Sequence, residues 1–174
     1  MREVSIRVAG PGDIAAITRI YADAVRHGTA SFETEPPDEA EMARRQQALL
    51  ARHYPYLVVE RAGVVAGYAY AGPYRERPAY NWCVEDSVYV APQFQRQGLG
   101  LVLLRRLIGA AERLGVRQMI GIIGDSANTA SIEVHAAAGF RHIGTLQSVG
   151  FKHGRWLDTV IMQRPLGPGD EIKP

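Results

Sequence analysis

Gln95-Arg96-Gln97-Gly98-Leu99-Gly100 stands between a β-branched and aromatic run, Ser87–Val90, and a segment of helical periodicity, Leu99–Leu114. A strand, a tight glycine loop and a helix start together aim several backbone N–H groups and a helix N-terminus at one point, which is chemistry suited to a phosphate-bearing ligand. Two other phosphate grips are excluded by spacing. The residue three after Gly100 is Leu103, so there is no G-x-G-x-x-G, and no Gly-Lys-Ser/Thr occurs anywhere. A surface turn that uses glycine only for its conformation is the other reading of the same residues. A second group, Asn128, Ser131 and His135, is spaced by three and then four and lies near one helix face. A third, Arg75 and Arg77, offers guanidinium groups able to hold a carboxylate with two parallel hydrogen bonds, or simply a solvated loop.

The elements that must position these groups follow from hydrophobic period and breakers. Val4–Ala9 alternates as a strand, and Gly12-Asp13 opens a helix with Ile14, Ile17, Ile20, Tyr21 and Val25 on one face. His27–Pro37 is polar and turn-rich, with Phe32 standing out inside it. Asp38 with Glu41 forms a capping-box pattern before a helix that runs through Arg52. Tyr56–Glu60 and Val64–Ala71 read as a hairpin about Ala62-Gly63, and Tyr80–Val90 as the strand that delivers the glycine loop. After the Leu99–Leu114 helix come a strand at Gln118–Ile123 and a helix opened by Asp125–Ser131 and closed at Gly139. Strands His142–Gly150 and Trp156–Gln163 then flank a Lys152-His153-Gly154 turn. The order β-α-α-β-β-β-α-β-α-β-β predicts an α/β (α+β) domain, a central twisted, mixed but largely antiparallel sheet flanked by helices. Residues 1–166 are expected to form one domain and 167–174 a flexible C-terminal tail.

Composition narrows the function classes. The chain has 174 residues, with 20 Lys and Arg against 18 Asp and Glu, so there is no electrostatic case for nucleic acid. Arg44-Arg45 and Arg105-Arg106 read as solvated helix faces. No apolar run approaches bilayer length, so no membrane partner is expected. The single cysteine, Cys83, fits a reducing cytoplasm and reads as a small core residue. No His/Cys/Asp/Glu spacing suggests a metal.

The loop resembles the pyrophosphate loop of the GCN5-related N-acetyltransferase (GNAT) superfamily, [Q/R]-x-x-G-x-[G/A], which binds acetyl-coenzyme A. Asn128–Phe140 resembles that superfamily's pattern of Asn, small residue, Tyr and closing Gly-Phe, with His135 in place of the tyrosine. A narrower likeness covers most of the chain. Ser31-Phe32-Glu33-Thr34-Glu35-Pro36, Tyr54-Pro55-Tyr56-Leu57-Val58, Ala69-Tyr70-Ala71-Gly72-Pro73-Tyr74, Tyr80-Asn81-Trp82 and Gly150-Phe151-Lys152-His153-Gly154-Arg155-Trp156-Leu157-Asp158 look like the phosphinothricin and methionine sulfoximine N-acetyltransferase family.

That resemblance implies a GNAT-like fold, acetyl-coenzyme A as donor and a small amino-acid-like acceptor such as phosphinothricin, methionine sulfoximine or methionine sulfone. It also implies a homodimer. Glu85 falls at the family's catalytic glutamate and is expected to take a proton from the acceptor ammonium, directly or through water. Its neighbour Asp86 should point to the opposite face of the strand. His135 is expected either to share that deprotonation or to hand a proton to the departing thiolate. Val88, Tyr89, Val90, Gln95, Arg96, Gln97, Gly98, Leu99, Gly100, Asn128 and Ser131 would hold acetyl-coenzyme A, with a backbone N–H near Tyr89 or Val90 meeting the oxyanion. Arg75 and Arg77 would bind the acceptor's acidic group, and Phe32 and Tyr80 would wall its pocket. Where the herbicide-detoxifying members usually read Ala-Glu-Ser-Thr, this chain has Val84-Glu85-Asp86-Ser87, so the preferred amino acid stays open. The competing functions are acetylation of another amine (a protein N-terminus or a polyamine) and a non-catalytic acyl-coenzyme A sensor.

Overall fold

The computed structural model describes residues 4–173. Its strands are β1 (Val4–Val8), β2 (Tyr56–Arg61), β3 (Val64–Pro73), β4 (Cys83–Val90), β5 (Gln118–Gly124), β6 (Arg141–Lys152) and β7 (Arg155–Pro165). Its α-helices are α1 (Ile14–His27), α2 (Glu39–Ala51), α3 (Leu99–Arg113) and α4 (Thr129–Ala137), so the predicted element order holds. The seven strands form one sheet in the order β1-β2-β3-β4-β5-β7-β6. All pairs are antiparallel except β4 with β5.

Each helix buries the stripe its period predicts. Ile17, Ile20, Tyr21 and Val25 of α1 join Met42 of α2 against Tyr56, Val58 and Tyr68 on one face of the sheet. Leu99, Leu103, Leu104 and Leu107 of α3 pack on the other face against Leu57, Val59, Ala69, Val84 and Met119. These two sides are called here the first and the second face. On the first face Tyr21, Tyr56, Tyr68, Tyr70 and Tyr89 stack or meet edge-on with centroids 5.0–6.3 Å apart. Such contacts add to the area each ring buries.

Local chemistry corrects several expected boundaries. Tyr80 does not begin a strand. Pro78–Tyr80 is a short helical turn, since proline fixes φ there and cannot donate to a ladder, and β4 starts at Cys83. The Asp38 carboxylate caps α2 by accepting from the Glu41 N–H at 2.8 Å. Glu41 does not complete a capping box but pairs with Arg44 and Arg45. Arg45 also reaches Glu33 at 2.7 Å, so it ties the polar connection to α2 and is not merely solvated. α4 starts at Thr129 and not within Asp125–Ala127, because Asn128 caps it by accepting from the Ser131 N–H at 3.3 Å. Beyond Pro165 the chain turns with Leu166 fully buried. Among the described residues no helix is long and apolar enough to cross a membrane.

Candidate active site

The parallel ladder between β4 and β5 is short. It runs from Cys83 opposite Gln118 to Asp86 opposite Gly121 and stops there. Beyond it, β4 continues along β3 from Ser87 to Val90, while β5 continues along β7 from Ile122 to Gly124. The two strands therefore fork, and the β5-facing edge of Ser87, Val88, Tyr89 and Val90 has no strand partner. Four residues at about 3.3 Å each give that edge a length of roughly 13 Å.

The glycine loop lies at the far end of this edge. Pro92–Phe94 makes one helical turn, Arg96 takes φ +57° and Gly98 takes φ +79° as the residue before α3. Gly98 is favoured by its left-handed φ and not by lack of space, since a Cβ there would meet nothing within 4 Å. No side chain caps α3, so its first N–H groups are left for a ligand. Gln95 is exposed and donates its amide to the Val90 carbonyl at 3.1 Å, and Gln97 donates to the Gln93 carbonyl at 3.1 Å. Leu99 is buried in the core, which leaves only its backbone for a ligand. The Tyr89 ring likewise packs on Tyr21 and Tyr68, away from the fork. Asn128 spends its oxygen as the cap of α4, and the Ser131 carbonyl accepts from His135.

Glu85 and Asp86 point to opposite faces, as the strand period requires. Glu85 is half-buried on the first face. Burial and the nearby Asp86 charge push its carboxyl above the usual range, with Arg75 opposing them. Asp86 is buried on the second face, 3.0 Å from His135 Nε2. The structure thus places His135 against Asp86 on the second face and Glu85 on the first, and does not bring His135 to Glu85. Burial and the Glu85 charge push the Cys83 thiol up to about 11, which disfavours the thiolate that a nucleophile needs.

The expected acceptor residues fall into two groups on the first face. Arg75 stacks over Tyr74 at 5.1 Å, and Tyr80 meets the same ring edge-on at 5.7 Å. These two come together through Tyr74, a residue of the family likeness to which the sequence assigns no role. Arg77 is exposed beside them, and Glu76 is held by Arg52 at 3.1 Å. Phe32 sits elsewhere, lying across Gly124 and Gly150. A Cβ on those glycines would come within 2.9 Å and 2.4 Å of its ring. Lys152 Nζ donates to the Gly28 and Ser31 carbonyls at 3.0 and 2.7 Å, which fastens the Phe32 loop beside the β5 arm of the fork. A separate cavity of about 350 Å³ lies under α2, walled by Tyr21, Tyr56, Tyr68 and Tyr70. The tyrosines at positions 68 and 70 stand two apart in β3 and Tyr56 pairs opposite Tyr70, a strand-period signal in the sequence for an aromatic sheet face.

The pattern of the acetyltransferase (GNAT) family matches residues 16–140. The chain is 54% identical over 170 residues to phosphinothricin N-acetyltransferase of Alcaligenes faecalis, covering 98% of this chain and 86% of that one. It is 42% identical to the L-methionine sulfoximine/L-methionine sulfone acetyltransferase of Salmonella typhimurium, over 94% of this chain and 95% of the other. Among solved structures it superposes on a GNAT superfamily phosphinothricin acetyltransferase from Sinorhizobium meliloti in complex with acetyl-coenzyme A. The TM-score is 0.95 at 46% identity, covering 98% of this chain and 92% of that one.

Proposed function

This chain belongs to the acetyltransferase (GNAT) family, and from that premise we propose that it moves an acetyl group from acetyl-coenzyme A to the α-amine of a small amino acid. Phosphinothricin, methionine sulfoximine and methionine sulfone, the compounds named for its relatives, define the acceptor class. The observation that carries this reading is the fork. One open strand edge runs from the uncapped start of α3 to a carboxyl whose pKa is raised.

The fork fits acetyl-coenzyme A on its own terms. The α3 N–H groups and the left-handed Gly98 suit a pyrophosphate, and the open edge of Ser87–Val90 suits the amide-bearing arm. A Cβ at Gly100 would meet only Val90 and Val134 side chains at 3.8–3.9 Å, ordinary contact, so protein packing does not demand the glycine that a ligand's approach would. When bound, acetyl-coenzyme A supplies a thioester carbonyl as acetyl donor. Gln95, Arg96, Gln97, Gly98, Leu99 and Gly100 hold its phosphates, chiefly through backbone, with Asn128 and Ser131 on the facing helix.

Glu85 removes the proton that keeps the acceptor ammonium from attacking, and its raised pKa suits it to that task near neutral pH. Arg75, with Arg77 exposed beside it, holds the acceptor's acidic end, and Tyr80 and Phe32 wall its two sides. Residues 1–166 act as one acetyltransferase domain with 167–174 as a tail, working in the cytoplasm. A homodimer accounts for edge strand β6, which with β7 exposes Leu146, Val149, Phe151 and Trp156 at 50–64%.

Acetyl-coenzyme A consumption, measured with methionine sulfone, methionine sulfoximine, phosphinothricin, the common amino acids and spermidine, tests the proposal. Turnover confined to amino-acid-like acceptors is expected. Turnover with spermidine alone, or with none of them, would overturn it. Light scattering at working concentration tests the dimer, and a monomer mass would remove it.

A further inference from the structure

His135 projects from α4 beneath the last β4–β5 pair, Asp86 with Gly121, at the point where the fork opens. Its Nδ1 lies 2.7 Å from the Ser131 carbonyl and its Nε2 lies 3.0 Å from Asp86 Oδ2. A carbonyl only accepts, so Nδ1 carries a proton and donates it. One further proton then lies between Nε2 and Oδ2. A carboxylic acid is far more acidic than an imidazolium, so that proton belongs to the ring. Both side chains are almost fully withdrawn from water, at 6% and 1% exposure. Gly121 is what leaves room for them. A Cβ there would stand 2.8 Å from His135 Cδ2 and 3.4 Å from Asp86 Oδ1. Asp86 Oδ1 itself is buried without a partner.

We propose that Asp86 is a positioning residue for the acetyl transfer: with the Ser131 carbonyl and the gap left by Gly121, it locks His135 at the fork with both ring nitrogens engaged. His135 is then a fixed, proton-bearing ring beneath the fork and does not deprotonate the amine. This deepens the acetyltransferase reading and rests on it. A cationic ring at the fork favours the negative charge that leaves with the sulfur, and Asp86 keeps the ring charged and aimed.

The surroundings agree. Burial works against the charged ring, but the hydrogen bond and charge of Asp86 and the Ser131 carbonyl outweigh it and lift the His135 pKa above its ordinary value. From β4 only Asp86 meets the ring, Glu85 being on the other face. From β5 the neighbour is Gly121, and the Phe140 ring meets His135 edge-on at 5.1 Å. Arg105 of α3 and Arg164 of β7 reach the Ala137 and Ala138 carbonyls at the C-terminal end of α4. Glu133, on the same helix, is exposed.

The test is a pH titration of the His135 ring nitrogens by NMR on the full chain with ¹⁵N-labelled histidine, in the wild type, Asp86→Asn and Gly121→Ala. The wild-type ring should keep both protons to a pH above the ordinary imidazole midpoint. Asp86→Asn, which preserves shape but removes the charge, should lower the midpoint by about one unit or more, a tenfold loss of proton affinity. Gly121→Ala, which displaces the ring and touches no charge, should move it the same way. The alkaline limb of kcat/KM should shift down with the midpoint in Asp86→Asn, while the acidic limb set by Glu85 stays in place. An unmoved His135 midpoint overturns the proposal. So does an activity loss equal at every pH, which would make Asp86 a scaffold only. The titration needs no acceptor, so it is read separately from the amine assay.

Discussion

The two faces of β4 carry adjacent carboxylates with opposite fates. On the first face Glu85 is half-buried, has no hydrogen-bond partner among the described residues, and feels Arg75 only as a charge. On the second face Asp86 is buried against His135. The same residue chemistry, one position apart, yields a free group with raised proton affinity and a group committed to an imidazole. What separates them is the strand's two-residue period, which sends one to the sheet face that α1 and α2 pack on and the other into the packing beneath α4. On the proposed function, the reactive carboxylate is the one left without a partner.

Glu85→Gln tests the free side most severely. Turnover should fall by about 10²–10⁴-fold, the usual worth of a general base, with acetyl-coenzyme A affinity unchanged in a direct binding measurement. Activity within threefold of wild type would take Glu85 out of the mechanism and erase the contrast between the faces.

Asp86→Ala tests the committed side. It leaves a buried ring N–H unpaired, which costs about 1–3 kcal/mol of stability. The sign of its pH dependence follows from the raised His135 pKa. That contribution is fully present below the ordinary imidazole value and fades as pH rises through the higher folded value. Urea unfolding at a series of pH values should therefore show the variant's deficit largest in mildly acid solution and shrinking toward alkaline pH. A deficit that grows with pH would break the assignment.

The smallest effect has the opposite sign. The raised Glu85 carboxyl pKa means that the folded state holds this proton more tightly than the unfolded one. Stability from Glu85 thus declines as pH rises from the ordinary carboxylate range through the folded value. At neutral pH Glu85→Gln should unfold at a slightly higher temperature than wild type, and below the carboxylate range the difference should vanish. A lower melting temperature at pH 7 would mean that Glu85 is held by partners, as Asp86 is.

Local rules carried much of the fold. The order of eleven elements, the Ala62-Gly63 hairpin and the apolar stripes of α1 and α3 are all legible from period and breakers. The start of β4 was missed because the aromatic run Tyr80-Asn81-Trp82 has strand composition while Pro78 imposes a turn. At the site, the glycine loop and the position of Glu85 could be read. The partner of His135 could not, because Asp86 and His135 are 49 residues apart and meet only through the β4–β5 crossover. Lys152 was likewise placed in a late turn, with nothing in the chain to connect it to the Gly28 and Ser31 carbonyls.

By itself the sequence determined the kinds of groups present and their local presentation: a glycine that tolerates φ +79° before a helix, alternation that parts Glu85 from Asp86, and a histidine on the helix face of Ser131. These depend on interactions within a few residues, and backbone sterics settle them. Only the tertiary structure decided where β4 and β5 stop pairing, which carboxylate finds a cation and which stays free. Those outcomes turn on contacts between distant segments and on withdrawal from water, which act only once the sheet and its helices have closed on one another.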